Sequence, residues 1–409
     1  MTVITLTEHG AAVSLPLDDA VGRALVASRL AEAAPDPYVP GRWRLRAKGK
    51  VGVVRVTASG GAAATMRIVP KVPIHRLLFL LGYALDPKGW REEDVTADAE
   101  PDLLPALARL FERQADKALR QGLLQGYRSV EETSLLLRGR IREADQIRRH
   151  HGRSFPIEII HDEYTPDIAE NRLLRTACDR LLRLPSGVPR DVRIRLLRLR
   201  VRLADITPVG RGHALPEWRP SRLNVRYRPA LRLASLVLAG ASVEHRPGDV
   251  TVSGFLFDMA KVFEDFVTIS LREALAPSGR CVLQGSVHLD EDRAIRIIPD
   301  LVHRAADGTP LAVADAKYKA EKPEGFPDAD LYQMLAYCTA LGLRNGHLIY
   351  AKGNAPHAVH RVRHAGVLIH QHALELDQAP AGLLAEVRSL AGLLVPDQPF
   401  VSSSSSGTG

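Results

Sequence analysis

The chain has 409 residues, 45% hydrophobic and 25% charged, with 31 Gly and 27 Pro. That length supports two or three domains with real cores, and the composition excludes collagen, coiled coil and wholesale disorder. Lys and Arg number 55 against 47 Asp and Glu, a net charge of +8, and the stretch from Leu107 to Leu203, with 21 basic and 13 acidic residues, carries the whole surplus. A local basic surplus suggests a phosphate backbone as partner, although for charge alone a solvated helix face is the stronger reading. The three cysteines, Cys178, Cys281 and Cys338, are far apart and form no Cys-x-x-Cys pair. They argue against a disulfide framework and a thiolate zinc site, and fit a reducing cytoplasm. No run approaches the roughly 20 apolar residues of a membrane span, and the start of the chain lacks the pattern of a secretory signal. A cytoplasmic protein without a membrane partner is expected.

The elements follow in chain order. Residues 1–95 read as a β-rich domain, with strands at Thr2–Leu6, Arg42–Lys48, Val51–Thr57 and Thr65–Val69 and a Gly60-Gly61 turn between the last two. Helices are expected at Asp18–Ala33 and Pro73–Leu85. Residues 96–235 read as a basic, mostly helical middle region. Leu103, Leu104, Leu107, Leu110 and Phe111 recur at helix spacing, as do Leu173, Leu174, Ala177 and Leu181. Asp191–Leu203 alternates Arg with aliphatic residues and could be a basic helix. Pro208–Pro229 reads as an irregular crossing and His245–Gly254 as a loop. Residues 236–400 change to helix, hairpin, helix and strands, and 401–409 is a low-complexity tail expected to be disordered.

Several chemistries find no support. The chain has no Gly-x-x-x-x-Gly-Lys-Ser/Thr loop and no Gly-x-Ser-x-Gly elbow. His150-His151 suggests a surface role. His370 and His372 alternate as on a strand, with no third ligand nearby in sequence.

The informative run is Ile295–Lys319. Two β-rich stretches flank Asp307-Gly308, a hairpin turn signal. Asp315 and Lys317 are two apart and so share a strand face, with Ala312, Ala314 and Ala316 on the other. A two-residue turn would set Asp300 directly opposite Asp315. An acid and a lysine amid apolar strand residues are costly to bury without a purpose. Upstream, Leu256–Ala276 reads as an amphipathic helix that aims Glu264 inward and leaves Asp265 wet. Downstream, the helix Asp328–Leu341 carries Gln333 and Tyr337 as a polar edge.

Paired carboxylates with a lysine suit Mg²⁺-assisted phosphodiester hydrolysis. Hard oxygens bind the cation, the cation activates water and phosphate, and the lysine supports developing negative charge. The expected ligands are Asp300, Asp315 and the Ala316 carbonyl, with Glu264 bound directly or through water. Mn²⁺ is a possible substitute. Lys317 is expected at the scissile phosphate, and Gln333 as a support that does not ligate metal.

This quartet resembles the PD-(D/E)xK nucleases, and the chain is similar to the McrC family. The resemblance is carried by Ile68-Val-Pro-Lys71, Leu137-Arg-Gly-Arg-Ile-Arg142, the run His161–Arg172, Val262-Phe-Glu-Asp-Phe-Val267, Asp315-Ala-Lys-Tyr-Lys319 and Leu331-Tyr-Gln-Met-Leu-Ala-Tyr337. It implies an α+β multidomain chain: a β-rich N-terminal region that docks a partner, a helical middle, and a C-terminal restriction-endonuclease-like α/β domain. It further implies the Mg²⁺-dependent endonuclease subunit of a modified-cytosine restriction system. Such a subunit works with a hexameric McrB-like AAA+ GTPase on double-stranded, methylated DNA. The hairpin around Gly60-Gly61 is a candidate contact finger, whereas Pro70-Lys71 and Asn171 read as structural. A non-catalytic activator of an AAA+ motor and a stand-alone repair nuclease are the competing functions.

Overall fold

The computed structural model describes residues 2–58, 60–85, 87, 102–151, 153–184, 187–210, 212–240, 250–318, 328–351 and 358–395. The expected disordered tail, 401–409, lies outside them. The chain divides into two compact units, residues 1–102 with 242–409, and residues 103–241. The segments 1–95 and 242–400, read from sequence as parts of different domains, therefore share one unit.

In the first unit, β1 (Thr2–Thr7) runs parallel to β6 (Ala63–Val69), which pairs antiparallel with β5 (Lys50–Thr57). A small sheet of β2 (Val13–Pro16), β4 (Arg42–Ala47) and β3 (Ala31–Pro35) stands beside it. Helix α1 (Asp19–Ser28) is shorter than expected. Asp18 caps its start by accepting from the Ala20 N–H at 2.8 Å, and Arg29 ends it in the left-handed region at φ 55°. Ala31–Ala33, expected in that helix, belong to β3, where pairing with β4 overrides helix propensity. Helix α2 (Ile74–Leu85) follows, buried along Leu77–Leu81.

The second unit is helical over much of its length, as expected, and adds a sheet that the sequence did not show. Helices α3 (Leu103–Leu119), α5 (Ala169–Arg183), α6 (Arg190–Arg202) and α7 (Arg228–Ala239) are present, with α4 (Glu143–His150) between them in sequence. A three-stranded antiparallel sheet of β7 (Gly126–Ser134), β9 (Ile157–Thr165) and β8 (Arg140–Ile141) accompanies them. Strand β7 is polar on both faces, so its sequence lacks the apolar alternation that marks a strand. The expected helix stripes do form the core, with Leu107, Phe111, Leu174, Ala177 and Leu181 fully buried. Three arginines of α6, Arg195, Arg200 and Arg202, are turned toward acids. Arg195 reaches Glu112 at 2.8 Å and Asp191 at 3.0 Å, and Arg202 reaches Asp116 at 2.8 Å. Asn171 is fully buried and donates to the carbonyls of Leu124 and Pro166 at 2.8 and 2.7 Å, a structural role.

The chain then returns to the first unit. β10 (Thr251–Asp258) pairs antiparallel with β5 over eight residues, so the expected loop at His245–Gly254 is a strand from Thr251. Leu256 and Phe257, read as the start of a helix, lie in this strand, and α8 begins at Met259 (Met259–Leu275) with Asp258 as its cap. Gly52 makes the β5–β10 ladder possible. Its φ is +133°, and a Cβ there would stand 2.1 Å from the Phe255 carbonyl oxygen.

A six-stranded mixed sheet completes the unit. Its strands are β11 (Arg280–Leu283), β14 (Leu301–Arg304), β15 (Pro310–Lys317), β16 (Asn345–Ala351), β18 (Leu368–Leu374) and the edge strand β17 (Ala358–Arg361), in that order across the sheet. A short ladder of β12 (Val287–His288) and β13 (Arg296–Ile297) lies between β11 and β14 in sequence. The strands β15, β16 and β18 run parallel. Helix α9 (Asp328–Leu341) packs Met334, Tyr337 and Cys338 onto Val302, Val313, Leu348 and Tyr350. On the alternate face of β15, Ala312 and Ala314 are buried, and α8 packs against that strand. Helix α10 (Pro380–Leu394) lies against α8.

Candidate active site

The hairpin that bears the aspartates does not turn as expected. Gly308 donates to the Ala305 carbonyl at 3.0 Å, Ala305 donates to the Thr309 carbonyl at 2.9 Å, and Gly308 is left-handed at φ 90°. This is a three-residue connection, Ala306 to Gly308, in place of the two-residue turn. Taken alone it would slide β15 by one residue and turn Asp315 to the other face. A bulge prevents this. Arg304 pairs with Pro310 and His303 with Ala312, so Leu311 is the extra residue. Beyond it Val302 faces Val313 and Leu301 faces Ala314, and the next step along the ladder sets Asp300 opposite Asp315. The expected register at the aspartates therefore holds, by a route that differs from the expected one.

The carboxylates crowd one another. Asp315 is 2% exposed and Asp300 9%. Asp300 Oδ2 accepts from the Ala316 N–H at 2.8 Å, which ties it across the ladder. Burial, then the charge of Asp300, push the Asp315 carboxyl up to about 7, against the pull of Lys317. The Lys317 ammonium meets Asp315 Oδ2 as an ion pair, yet that buried oxygen lacks a well-directed hydrogen bond. Burial opposes charge on Lys317, but Asp315, Asp300 and Asp330 together hold it above its ordinary range.

Glu264, from α8, sits at the margin of this group. Burial and the Asp300 charge raise its carboxyl, while Lys261 at 3.2 Å opposes them. Asp265 is the wetter neighbour, as its helix phase requires, with a side chain 45% exposed against 24% for Glu264. Between Glu264 and Asp300 stands Gln284, whose Nε2 is 2.7 Å from Glu264 Oε1 and 2.7 Å from Asp300 Oδ1. Nothing periodic in the sequence marks Gln284; it is a lone residue just after a short strand.

Gln333 donates to the Tyr337 hydroxyl at 2.6 Å, and that hydroxyl donates to the Ile298 carbonyl at 3.0 Å. Tyr337 is 3% exposed, so it belongs to the core cluster and not to a polar edge. Among the described contacts Gln333 touches Tyr337 and none of the carboxylates. Asp330, at the start of α9, is buried and accepts from the Tyr350 hydroxyl at 3.1 Å. Sequence reading passed over it, although it adds negative potential at Lys317.

The histidines do bring a third member together. His347 on β16 stacks on His370 and His372 of β18, with centroids 4.8 and 5.3 Å away and rings 10° and 12° from parallel. His347 Nδ1 and His372 Nε2 lie 3.0 Å apart as a hydrogen-bonded pair, and burial lowers His347 to about 3. Among the described residues, no three His, Cys, Asp or Glu side chains converge on a metal position as they stand. His150 bonds Glu158 Oε1 at 2.9 Å and His151 caps α4 in the left-handed region. No helix of the described residues is long and apolar enough to cross a membrane.

The family model for the McrBC 5-methylcytosine restriction system component matches residues 45–351. No curated protein matches the chain. Among solved structures, the chain is similar to one in a half-complex refined from a tetradecameric assembly of Thermococcus gammatolerans McrB AAA+ hexamers with bound McrC. The identity is 20% over 96% of this chain and 100% of that chain, with a TM-score of 0.58, a likeness of fold. A cryo-EM structure of the Thermococcus gammatolerans McrBC complex aligns over 67% of this chain and 88% of that chain, at 22% identity and a TM-score of 0.38. With three quarters of its length inside one family model, the chain belongs to the McrBC 5-methylcytosine restriction system component family.

Proposed function

We propose that the chain is the divalent-cation-dependent DNA endonuclease subunit of a modification-dependent restriction system, with a PD-(D/E)xK site at the open end of the β14–β15 hairpin. The observation that carries this reading is the facing pair Asp300 and Asp315 beside Lys317. Two buried, facing carboxylates, one of them pushed up by burial and by the other's charge and with an oxygen lacking a directed hydrogen bond, form a donor set that suits a hard cation. Asp300, Asp315 and the Ala316 carbonyl would hold Mg²⁺, or Mn²⁺ in its place, and Glu264 would join directly or through water. When bound, the cation supplies positive charge to the phosphodiester and eases ionisation of water.

The protein groups do the rest. Lys317, paired with Asp315 and partly buried, would face a phosphate oxygen and stabilise charge as water attacks phosphorus. The new bond joins water oxygen to phosphorus, and the bond to the leaving sugar oxygen breaks. That oxygen takes up a proton while the attacking water loses one. The related assembly contains McrB AAA+ hexamers with bound McrC. We extend that partnership to this chain, with an McrB-like NTPase that selects modified double-stranded DNA.

The test is cleavage of cytosine-methylated DNA by the chain with and without its AAA+ partner and Mg²⁺. Cleavage should require all components. Lys317→Ala should abolish it while Mg²⁺ and DNA binding persist, and Asp315→Asn should abolish both cleavage and Mg²⁺ binding. Unimpaired cleavage by either variant overturns the site. Stimulation of the partner's NTPase without any cleavage by the wild type makes the chain an activator instead.

A further inference from the structure

Gln284 leaves β11 in a left-handed conformation, φ 51°. A glutamine gains nothing locally from that backbone, which glycine or asparagine adopts at lower cost. Such strain persists where the surroundings over-determine it, and here three contacts do so. The Gln284 N–H donates to the Asp300 carbonyl at 3.1 Å. Its side-chain nitrogen then donates one hydrogen toward Glu264 Oε1 and the other toward Asp300 Oδ1, each at 2.7 Å. The partners fix the amide's orientation, because the reverse flip would set its oxygen against two carboxylates.

We propose that Gln284 is a positioning residue of the cation site: its amide is the strut that sets the spacing of Glu264 and Asp300 before any cation arrives. This rests on the cation-dependent reading of that site. Glu264 comes from a helix and Asp300 from a strand end, and like charges on separate elements drive them apart. A single NH₂ group satisfies both and adds no charge of its own, so it orders the carboxylates without competing as a cation would. A lysine at this position would neutralise the acids and weaken the attraction for a divalent ion. The Ala316 N–H on Asp300 Oδ2 completes the restraint from the other side. Hydrogen bonds from outer residues to metal-binding carboxylates typically improve metal affinity by about 10- to 100-fold.

The full-length protein tests this by Mg²⁺ titration calorimetry without DNA, with thermal unfolding in chelator as a control. Gln284→Gly is the informative variant, because glycine relieves the left-handed strain and keeps the turn while the strut is lost. It should unfold cooperatively near the wild-type temperature and bind Mg²⁺ about tenfold more weakly. Gln284→Asn, which tolerates the same backbone but is one methylene too short to span both acids, should share the loss. Unchanged or tighter Mg²⁺ binding by a folded Gln284→Gly overturns the role of the amide. Retention of full Mg²⁺ affinity by Asp315→Asn would instead overturn the cation site itself, and the proposal with it.

Discussion

Asp315→Asn in the metal-free protein gives a thermodynamic reading of the crowded hairpin. Asparagine resembles the protonated acid in shape and charge. In the folded chain Asp315 keeps its proton to about 7, whereas its ordinary value is 3.8. Below 3.8 both states hold the proton and the acid costs nothing. As pH rises from there toward 7, the unfolded chain releases the proton and the folded chain does not, so wild-type stability drains away across that window. Each pH unit is worth about 1.4 kcal/mol, which puts the full effect near a ceiling of about 4 kcal/mol. Urea unfolding in chelator at pH 4.5 and pH 8 is the assay. The variant should exceed the wild type by no more than about 1 kcal/mol at the lower pH, which lies less than one unit above 3.8, and by more at the higher, and added Mg²⁺ should favour the wild type alone. A gap that does not change with pH, or a wild type more stable than the variant at pH 8 in chelator, would show that Lys317 compensates Asp315 fully and would refute the reasoning.

Gln333→Ala should slow cleavage while leaving Mg²⁺ affinity within about twofold, since among the described contacts the Gln333 amide bonds the Tyr337 hydroxyl and none of the carboxylates; a large loss of metal binding would give it a direct role. Gly52→Ala should destabilise the first unit by about 3 kcal/mol or more, because its Cβ would meet the Phe255 carbonyl at 2.1 Å, and a loss below about 1 kcal/mol in urea unfolding would contradict this. Neutralising Arg195, Arg198 and Arg202 together should change the salt slope of DNA binding by about one unit at most, because Arg195 and Arg202 already pair with acids. A fall of about three units would return all three to the phosphate backbone.

The site was more legible in the sequence than its supports were. Period two alone puts Asp315 and Lys317 on one face, and the facing of Asp300 and Asp315 follows from any hairpin whose slips cancel, which the Leu311 bulge achieves. Helix phase separates Glu264 from Asp265 in the same way. Gln284 was not legible, because its role depends on where α8 and β14 meet in space. β10 was missed for a related reason: Phe255-Leu-Phe257 fits a helix start as well as a strand, and its partner β5 lies about two hundred residues earlier. The sheet of β7 and β9 escaped because β7 has polar residues on both faces and leaves no apolar alternation to read. The basic stretch signalled charge, but composition cannot show that Glu112, Asp116 and Asp191 lie across from its arginines.

The N-terminal strands are bound to the site at two points, so the hairpin and its helices should not fold alone. β5 pairs with β10 along eight residues, and Met259, the first residue of α8, donates to the Gly49 carbonyl at 2.8 Å. That ladder sets where α8, and with it Glu264, begins. At the other point Glu8, fully buried, accepts from the Tyr318 hydroxyl at 3.1 Å and from the Lys71 N–H at 3.2 Å. Tyr318 directly follows Lys317, and its ring lies 5.9 Å from that of Phe263, the neighbour of Glu264. A fragment of residues 250–395 would expose Val252, Phe255, Leu256 and Phe257, each at most 5% exposed in the intact chain. At roughly 1.5–3 kcal/mol for each large apolar side chain, that exposure is of the order of a whole domain's stability. It would also leave β10 as an unpaired edge. The fragment is expected to lack a cooperative thermal transition by circular dichroism, and adding residues 2–70 on a separate chain should restore one. A cooperatively folded fragment that binds Mg²⁺ as tightly as the full chain would show that the strands before Pro70 serve something other than the shape of this site.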